Sequence, residues 1–343
     1  MRGALIGCGF FAQNHLNAWR DLKADGIELV AVCDIDPDKA EAAATAFGIP
    51  RYYADPRTMF EAEQLDFVDI ATRMDTHKAL VLLAIERSIR AIVQKPFASD
   101  WAECVAMVDA AKAAGVPLAV HENFRFQTPM RIARETLASG VIGDPTWARF
   151  AFRTGFDVYR TQPYFHHEKK LAILDVGIHV LDLARVFMGE VRHILCETQR
   201  RNAKNLGEDT ATMMLRHVSG AVSLVECTYE AKQVPDPFPQ TLITIEGDNG
   251  SIKIHEDFRM VVTSGGKATE SRIGSPLLTW TQEPWHIAQE SVLLTQTAII
   301  SAWRAGRDAE TSGADNLKTY ALVDAAYAAA DQGRAVAPIA WKG

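Results

Sequence analysis

The start of the chain constrains the fold more than any other stretch. Residues 4–6 are apolar and predict a short strand, which runs directly into a G-x-G-x-x-A motif from Gly7 to Ala12. A helix-like stretch then extends to about Lys23. Glycines at the first two positions of such a motif allow a tight turn and let a diphosphate approach the backbone. A small residue at the last position lets the helix pack close to the strand. The order of strand, turn and helix therefore predicts a dinucleotide-binding unit.

A second predicted strand, residues 29–33, ends at Asp34. This acid lies roughly 20 residues beyond the glycine motif, where a carboxylate accepts hydrogen bonds from the adenosine ribose hydroxyls. It would repel a 2′-phosphate, and residues 35–38 contain no arginine or lysine, so NAD is favoured over NADP. A turn and cap without a ligand would show the same pattern and stays open. The predicted cofactor contacts of this unit are Gly7, Gly9, Phe10, Phe11, Ala12 and Asp34.

Strand-like and helix-like segments alternate up to residue 123. Further strands are predicted at residues 66–72, 89–93 and 117–120, with helices between them. This alternation predicts an α/β domain with a doubly wound parallel sheet, in which ligands bind beyond the carboxyl ends of the strands. Four polar residues at or just past such ends are candidate site residues: Thr72, Lys95, His121 and Asn123.

The pattern changes after residue 123. Seven short strand-like segments, interrupted by one helix at about residues 171–188, predict a mostly antiparallel sheet. Two helices, near residues 285–305 and 315–331, close the chain. We therefore predict a nucleotide-binding domain over residues 1–123 and an α+β domain over residues 124–343.

The interrupting helix carries two polar residues at a suggestive spacing. Asp175 and His179 are four residues apart, which places them on one face of an α-helix, one turn from each other. Gly177 between them costs about 1 kcal/mol relative to alanine in a helix interior, so we expect another group to approach the backbone there. Spacing alone leaves a second interpretation open, in which Asp175 caps the helix and His179 is a structural histidine.

Together these motifs resemble the Gfo/Idh/MocA family of NAD(P)-dependent sugar and polyol dehydrogenases. The resemblance covers nearly the whole chain and implies a Rossmann domain followed by a domain with an open-faced, mostly antiparallel sheet. Besides the glycine motif, the residues that carry it are Ala71-Thr72 with His77, Gln94-Lys95-Pro96, and the D-x-x-x-H pair Asp175 and His179. Through it, Thr72, His77, Lys95 and Asn123 join the expected cofactor contacts. This chain departs from the family at two places. Gln94 stands where the family's E-K-P motif has glutamate, and Arg73-Met74 stands where the family usually has Pro-Asn.

The family's catalytic lysine corresponds to Lys95, and the resemblance implies catalytic roles for Asp175 and His179 as well. We expect His179 to act as general base, Lys95 to stabilise the developing alkoxide, and Asp175 to orient the substrate or the histidine. Lys95 as the base is an alternative that stays open. The expected substrate contacts are Lys95, His121, Arg125, Tyr164, Asp175 and His179.

Gln-Lys-Pro combined with the residues from His121 to Arg125 is most similar to the D-apiose dehydrogenase branch of the family. An inositol or polyol dehydrogenase, a glycosidase-like relative that uses NAD transiently, and a non-catalytic NAD-binding regulator are the alternatives. No metal site is predicted, because the adjacent His166 and His167 point apart and the sequence places no third ligand.

Composition and charge limit the classes of molecule that the protein is expected to bind. The 343 residues carry a net charge of −7 without a block of like charges, which argues against nucleic acid and anionic membranes. No signal-peptide pattern or membrane-length apolar run occurs, and five dispersed cysteines form no disulfide or zinc pattern, so a cytoplasmic location is expected. The partner expected is a small sugar or polyol, and the family implies a homodimer or homotetramer formed through the open-faced sheet.

Overall fold

The computed structural model describes residues 1–343 as two compact units. The first unit comprises Met1–Asn123, Val292–Leu317 and Trp341–Gly343, and the second comprises Phe124–Ser291 and Lys318–Ala340. The sequence-based division at residue 123 assigned both later segments of the first unit to the second domain. The transitions after Ser291 and Leu317 fall inside long helices, so no turn or linker signal marks them.

The first unit is built on a six-stranded parallel sheet in the order β3-β2-β1-β4-β5-β6. Its strands are β1 Arg2–Ile6, β2 Glu28–Cys33, β3 Arg51–Tyr53, β4 Phe67–Ile70, β5 Arg90–Gln94 and β6 Leu118–His121. The helices between them are α1 Ala12–Asp21, α2 Pro37–Phe47, α3 Pro56–Ala62, α4 His77–Ile85 and α5 Trp101–Ala114. This is the predicted doubly wound Rossmann sheet. The sequence reasoning missed β3 and α3, which are short, and β3 lies at the sheet edge with little buried surface.

Local signals in the sequence set the helix ends of this unit. The Asp36 carboxylate accepts a hydrogen bond from the Asp38 N–H ahead of α2, and Pro37 takes the first helical position. The helix ends at Gly48, whose φ of 63° is a left-handed conformation that glycine adopts without strain. Asp100 and Gly115 bound α5 in the same way.

The core of the first unit includes residues from the returning segment. Trp19, Leu5 and Ile92 are fully or almost fully buried in one cluster with Ile299 and Trp303. Each such side chain contributes about 1.5–3 kcal/mol when it is removed from water. The segment Val292–Leu317 is therefore part of the structure that stabilises the parallel sheet.

The second unit contains an eight-stranded sheet in the order β14-β13-β12-β11-β7-β10-β9-β8. Its strands are β7 Pro145–Arg153, β8 Val191–Gln199, β9 Thr210–His217, β10 Val222–Thr228, β11 Leu242–Gly247, β12 Gly250–Ile254, β13 Arg259–Ser264 and β14 Lys267–Arg272. All neighbouring pairs are antiparallel except β7 with β10. The prediction of a mostly antiparallel sheet is confirmed. It missed β14, an edge strand whose six side chains are all exposed and give no apolar signal.

The remaining helices are α6 Thr128–Ala138, α7 Ile178–Met188, α8 His286–Arg304 and α9 Gly313–Gln332. A π-helical turn, Ile173–Gly177, precedes α7, so the predicted single helix at residues 171–188 is not regular throughout. No helix is long and apolar enough to cross a membrane.

The two faces of the second sheet differ. Phe150, Val225 and Met213 are paired across β7, β10 and β9 and are completely buried. One residue along each strand, Leu224 and Met214 face the other side and remain partly accessible. One face of the sheet is therefore core and the other is open.

Candidate active site

The glycine turn between β1 and α1 has the shape that a dinucleotide diphosphate requires. Gly7 has a φ of 96°, and a Cβ at this position would lie 2.6 Å from the Ala71 carbonyl oxygen, so a side chain does not fit. A Cβ at Gly9 would meet no atom within 4 Å, which leaves open space above the turn. Phe10 beside it is 77% exposed, and no side chain caps the helix start at Phe11. The helix N-terminus thus lies beside open space that fits an anion.

Asp34 is held next to this turn. Its Oδ2 accepts a hydrogen bond of 2.7 Å from the Cys8 N–H, and its Oδ1 accepts one of 2.9 Å from the Asp36 N–H. Two backbone donors fix the carboxylate at the carboxyl end of β2, where further lone pairs can accept ribose hydroxyls. These residues fit NAD, whose nicotinamide accepts the hydride when the cofactor is bound.

His77, a predicted cofactor contact, is surrounded by backbone carbonyls. It is buried, and its Nδ1 lies 3.1 Å from the Pro96 carbonyl oxygen and 3.2 Å from that of Phe97. Its Nε2 lies 3.2 Å from the carbonyl oxygen of Thr72. Burial is the main reason why the pKa of His77 lies below its ordinary value, so the ring is neutral at pH 7. His77 therefore lies between the segments that follow β4 and β5, and its single ring N–H donates to a backbone carbonyl of one of them.

Thr72 and Lys95, which follow these same two strands, are both partly accessible. The Thr72 hydroxyl is 2.7 Å from the Thr76 hydroxyl. The Lys95 N–H donates a 2.7 Å hydrogen bond to Oε1 of Gln94. Both residues are at the carboxyl edge of the parallel sheet, as the strand pattern predicts.

His121, a predicted substrate contact, is completely buried in this structure. Its side chain is 0% exposed, and its ring centroid lies 4.3 Å from that of His15. Burial and the neighbouring His15 lower the pKa of His121 to about 3. Asn123, at the end of the first unit, is also buried. Position at a strand end indicates the edge of the sheet but not whether the side chain points outward.

Arg125 forms an ion pair with another residue of the second unit. Its guanidinium donates to both carboxylate oxygens of Asp182, at 2.8 Å and 2.5 Å, and both side chains are buried. Burial alone would raise the pKa of Asp182, but Arg125, Arg185 and the Thr319 hydroxyl hold it below its ordinary value. The charge of Arg125 is therefore used in a buried ion pair, and its contact with the substrate stays a prediction.

Asp175 lies in the π-helical turn, where the regular spacing of an α-helix does not hold. Its Oδ2 accepts a short hydrogen bond from the Tyr229 hydroxyl. Burial and the Asp175 charge raise the pKa of Tyr229 well above its ordinary value, so the phenol keeps its proton. At Gly177 a Cβ would lie 3.2 Å from Sγ of Cys227, so the strand β10 is the group that approaches the backbone there.

His179 is the second residue of α7 and is 4% exposed. Its ring stacks on that of Phe124, with centroids 3.9 Å apart and planes 3° from parallel. This stacking fixes the ring plane. Neither Phe124 nor Tyr229 was predicted from the sequence, because each meets its partner from more than 50 residues away in the chain.

A pocket of about 470 Å³ opens beside Tyr229 in the second unit. Most of the side chains that line it are polar or charged, among them Tyr159, Arg160, His166, Asn202 and Glu230. Its volume falls within the range of small-molecule sites. Tyr164, a predicted substrate contact from the same stretch of chain, is 54% exposed, and its hydroxyl donates to Gln162. From this stretch, Tyr159, Arg160 and His166 line the pocket.

Two family models match the chain. Residues 1–122 match the NAD-binding Rossmann fold of an oxidoreductase family, GFO_IDH_MocA, and residues 130–253 match the GFO/IDH/MocA C-terminal domain. The two matches lie on either side of Asn123, where the first unit passes into the second.

Characterised relatives match over almost their whole length. The D-apiose dehydrogenase of Rhizobium rhizogenes is 46% identical over 98% of this chain and 97% of its own, and that of Paraburkholderia graminis is 46% identical over 98% and 89%. An oxidoreductase from Agrobacterium radiobacter, solved in complex with NAD+, L-tartaric acid and magnesium, superposes with a TM-score of 0.96 at 46% identity, covering 98% of both chains. With the fold and the nucleotide turn, these matches show that the chain is a member of the Gfo/Idh/MocA family of NAD-dependent oxidoreductases that act on CH–OH donors.

Proposed function

We propose that the protein oxidises a free pentose, D-apiose, with NAD+ as hydride acceptor. The observation that carries the proposal is the pairing of Asp175 with Tyr229, because Tyr229 also lines the polar pocket of about 470 Å³. A polar pocket of this size suits a monosaccharide, whose hydroxyls need hydrogen-bond partners. The two D-apiose dehydrogenases at 46% identity support this sugar over inositol.

The roles proposed for the chain's residues follow the chemistry of alcohol oxidation. A hydride leaves the carbon, the hydroxyl loses its proton, and a carbonyl forms. His179 accepts the proton as general base, and the cationic Lys95 stabilises the negative charge that develops on the oxygen. Asp175, held by Tyr229, orients a sugar hydroxyl. In the alternative assignment Lys95 takes the proton, and variants of the two residues distinguish these assignments.

The test is a panel of aldoses and polyols that includes D-apiose and myo-inositol, scored for NADH absorbance with NADP+ run beside NAD+. We expect D-apiose to give the highest kcat/KM, and NAD+ to be preferred. A higher kcat/KM with inositol or another polyol would replace the substrate assignment. Cleavage of a glycoside without net NADH would indicate the glycosidase-like chemistry, and NAD+ binding without turnover of any sugar would indicate a regulator.

We also propose that the open face of the second sheet binds a second copy of the chain. Leu195, Met214 and Leu224 are adjacent in register on that face, and Met214 is 47% exposed. Neighbouring apolar side chains exposed on a sheet face are typical of interaction surfaces. Light scattering coupled to gel filtration should give a dimer or tetramer, and Met214→Lys should shift it toward the monomer. A wild-type monomer at micromolar concentration would refute this.

A cytoplasmic location is part of the same proposal. All five cysteines are free and buried, and burial raises the pKa of both Cys8 and Cys33 to about 12, so these are unreactive thiols. Free cysteines without disulfides are typical of proteins in a reducing compartment such as the cytoplasm. Cell fractionation with an antibody to the protein checks the location, and recovery in a secreted or periplasmic fraction would refute it.

A further inference from the structure

Gln94, the residue that departs from the E-K-P motif, is one member of a buried hydrogen-bond chain within the first unit. Its Oε1 accepts from the Lys95 N–H at 2.7 Å, and its Nε2 lies 3.1 Å from Nε2 of His15. Nδ1 of His15 lies 2.7 Å from Oδ2 of Asp69. The Trp19 indole N–H donates to the same carboxylate oxygen at 2.7 Å. A continuous series of hydrogen bonds therefore joins the backbone of Lys95 to a buried carboxylate.

The direction of each hydrogen bond in this series follows from its two ends. A backbone N–H donates only, so the oxygen of the Gln94 amide faces Lys95 and the NH₂ group faces His15. The Nε2 atom of His15 must then accept, which leaves the proton on Nδ1, facing Asp69. Oδ2 of Asp69 is thus an acceptor, and His15 is a neutral ring in one tautomer. No other protonation state of the ring gives every hydrogen bond in the series both a donor and an acceptor.

The surroundings of His15 agree with this assignment. His15 and Asp69 are completely buried, and the titratable groups that face the ring are Asp69 and His121. Burial, the largest cause, lowers the pKa of His121 to about 3, so this ring is neutral at pH 7. Burial alone would raise the pKa of Asp69, but the hydrogen bonds that it accepts from His15 and Trp19 hold it below its ordinary value. Asp69 therefore carries the charge of the group.

A glutamate at position 94 would change the chain of hydrogen bonds. As an ionised carboxylate, it would accept from the Lys95 N–H through one oxygen, and through the other it could only accept from His15. The ring would then have to carry protons on both nitrogens, as an imidazolium between Asp69 and the new carboxylate. With glutamine, the negative charge instead lies at the far end of the series, separated from Lys95 by His15 and Gln94.

We propose that Gln94, His15 and Asp69 are positioning residues that hold the backbone at Lys95, and that Gln94 makes this possible with a neutral His15. The inference rests on the role proposed for Lys95 in hydride transfer. It follows that position 94 needs an amide, which accepts from the Lys95 N–H and donates to the His15 ring that is bonded to Asp69. A change at position 94 should alter the protonation of His15, which lies 79 residues away in the sequence.

The experiment combines histidine NMR with kinetics on the full-length protein. Histidine labelled with 13C and 15N reports the His15 tautomer, and a His15→Gln variant assigns the signal. Wild type should show a neutral ring protonated on Nδ1 at pH 7, and Gln94→Glu should show an imidazolium. Kinetics use the best sugar of the panel. Gln94→Leu should lower kcat by at least about tenfold, because small misplacements of a reacting group are costly, while the Kd for NAD+ changes less than about twofold.

Gln94→Glu provides a readout that a merely structural role would not affect. Its kcat should fall as pH rises and the ring loses the proton that faces the new carboxylate, whereas wild type has no carboxylate at this position. Glu63→Gln is the matched control, since Glu63 is a buried carboxylate of the same unit that is bonded to Arg51 and Tyr53, and it should leave kcat within about twofold.

An imidazolium in the wild type, or a Gln94→Leu variant with wild-type kcat, would overturn the proposal. Should Gln94→Leu fail to fold, the nearly isosteric Gln94→Glu still decides, since the absence of an imidazolium and of the added titration would refute it. If Lys95→Ala retains activity while the NMR results are as expected, the role proposed for Lys95 fails but the hydrogen-bond assignment stands.

Discussion

Nδ1 of His77 lies 3.1 Å from the carbonyl oxygen of Pro96, the residue that follows Lys95. The neighbouring carbonyl of Phe97 is 3.2 Å from the same nitrogen, and on the other side of Lys95 its N–H is bound by Gln94. Side chains from α4 and β5 therefore fix the backbone before and after the lysine. Rigid support of this kind is what a group acting on a transition state needs.

His77→Leu should lower kcat about tenfold and destabilise the fold by about 1–3 kcal/mol, because a backbone carbonyl loses its donor. Steady-state kinetics and thermal unfolding measure the two effects. His217→Leu is the control, since His217 is also buried and bonded to Gly189 and Ser223 in the second unit. It should lose stability but keep kcat. Equal kcat losses in both variants would show that the effect is one of general stability.

Lys95→Ala should lower kcat by roughly 10²–10³-fold, the loss typical when one group that stabilises an oxyanion is removed. Affinity for NAD+, measured by protein fluorescence, should remain nearly unchanged. Lys112→Ala, which removes an exposed lysine of the same unit, should leave both quantities as in wild type. A parallel loss of NAD+ affinity would make Lys95 a cofactor contact instead of an alkoxide partner.

His179→Ala should lower kcat/KM by roughly 10²–10⁴-fold, the contribution of a general base. The loss is expected because the variant has no side chain at this position to take the hydroxyl proton. His255→Ala, a change at another histidine of the second unit, is the control. Full activity of His179→Ala at every pH would rule out His179 as the base and favour Lys95.

Tyr229→Phe should raise KM for the sugar and lower kcat/KM by about 10–100-fold. The reason is that Asp175 loses a charge-assisted hydrogen bond worth about 1.5–3 kcal/mol. Tyr53→Phe removes an equivalent hydroxyl that donates to Glu63 and should not affect kinetics. An unchanged KM in Tyr229→Phe would show that the Asp175 carboxylate does not orient the substrate.

Arg125→Met should destabilise the protein by about 3–5 kcal/mol at pH 7, because Asp182 would remain buried after losing its partner. The pKa of Asp182 lies below its unfolded value, so this stabilisation is present above the unfolded pKa and is lost as pH falls through the folded one. Urea unfolding should therefore show a smaller difference between variant and wild type in acid. Arg259→Met, which breaks the exposed pair with Glu270, should cost at most about 1 kcal/mol.

The first domain was predictable because its elements are marked locally. Apolar runs give β1, β2, β4, β5 and β6, and Asp36 with Gly48 bounds one helix, so the position of Lys95 at the sheet edge followed. The burial of His121 and Arg125 was not predictable from the sequence. Asp182, the ion-pair partner of Arg125, lies 57 residues away, and no pattern in the sequence pairs the two residues. The hydrogen-bonding role of Gln94 could not be predicted either, because its partners His15 and Asp69 come close to it only in the folded protein.

The core of the first unit has a consequence for the order of synthesis. Trp303 and Ile299 pack with Trp19 and Leu5, yet they are made almost 300 residues later. On the ribosome, the nucleotide-binding sheet therefore has to wait for nearly the whole chain before its core is complete. A truncated protein ending at residue 123 should expose that apolar surface and aggregate, although it contains every strand of the parallel sheet.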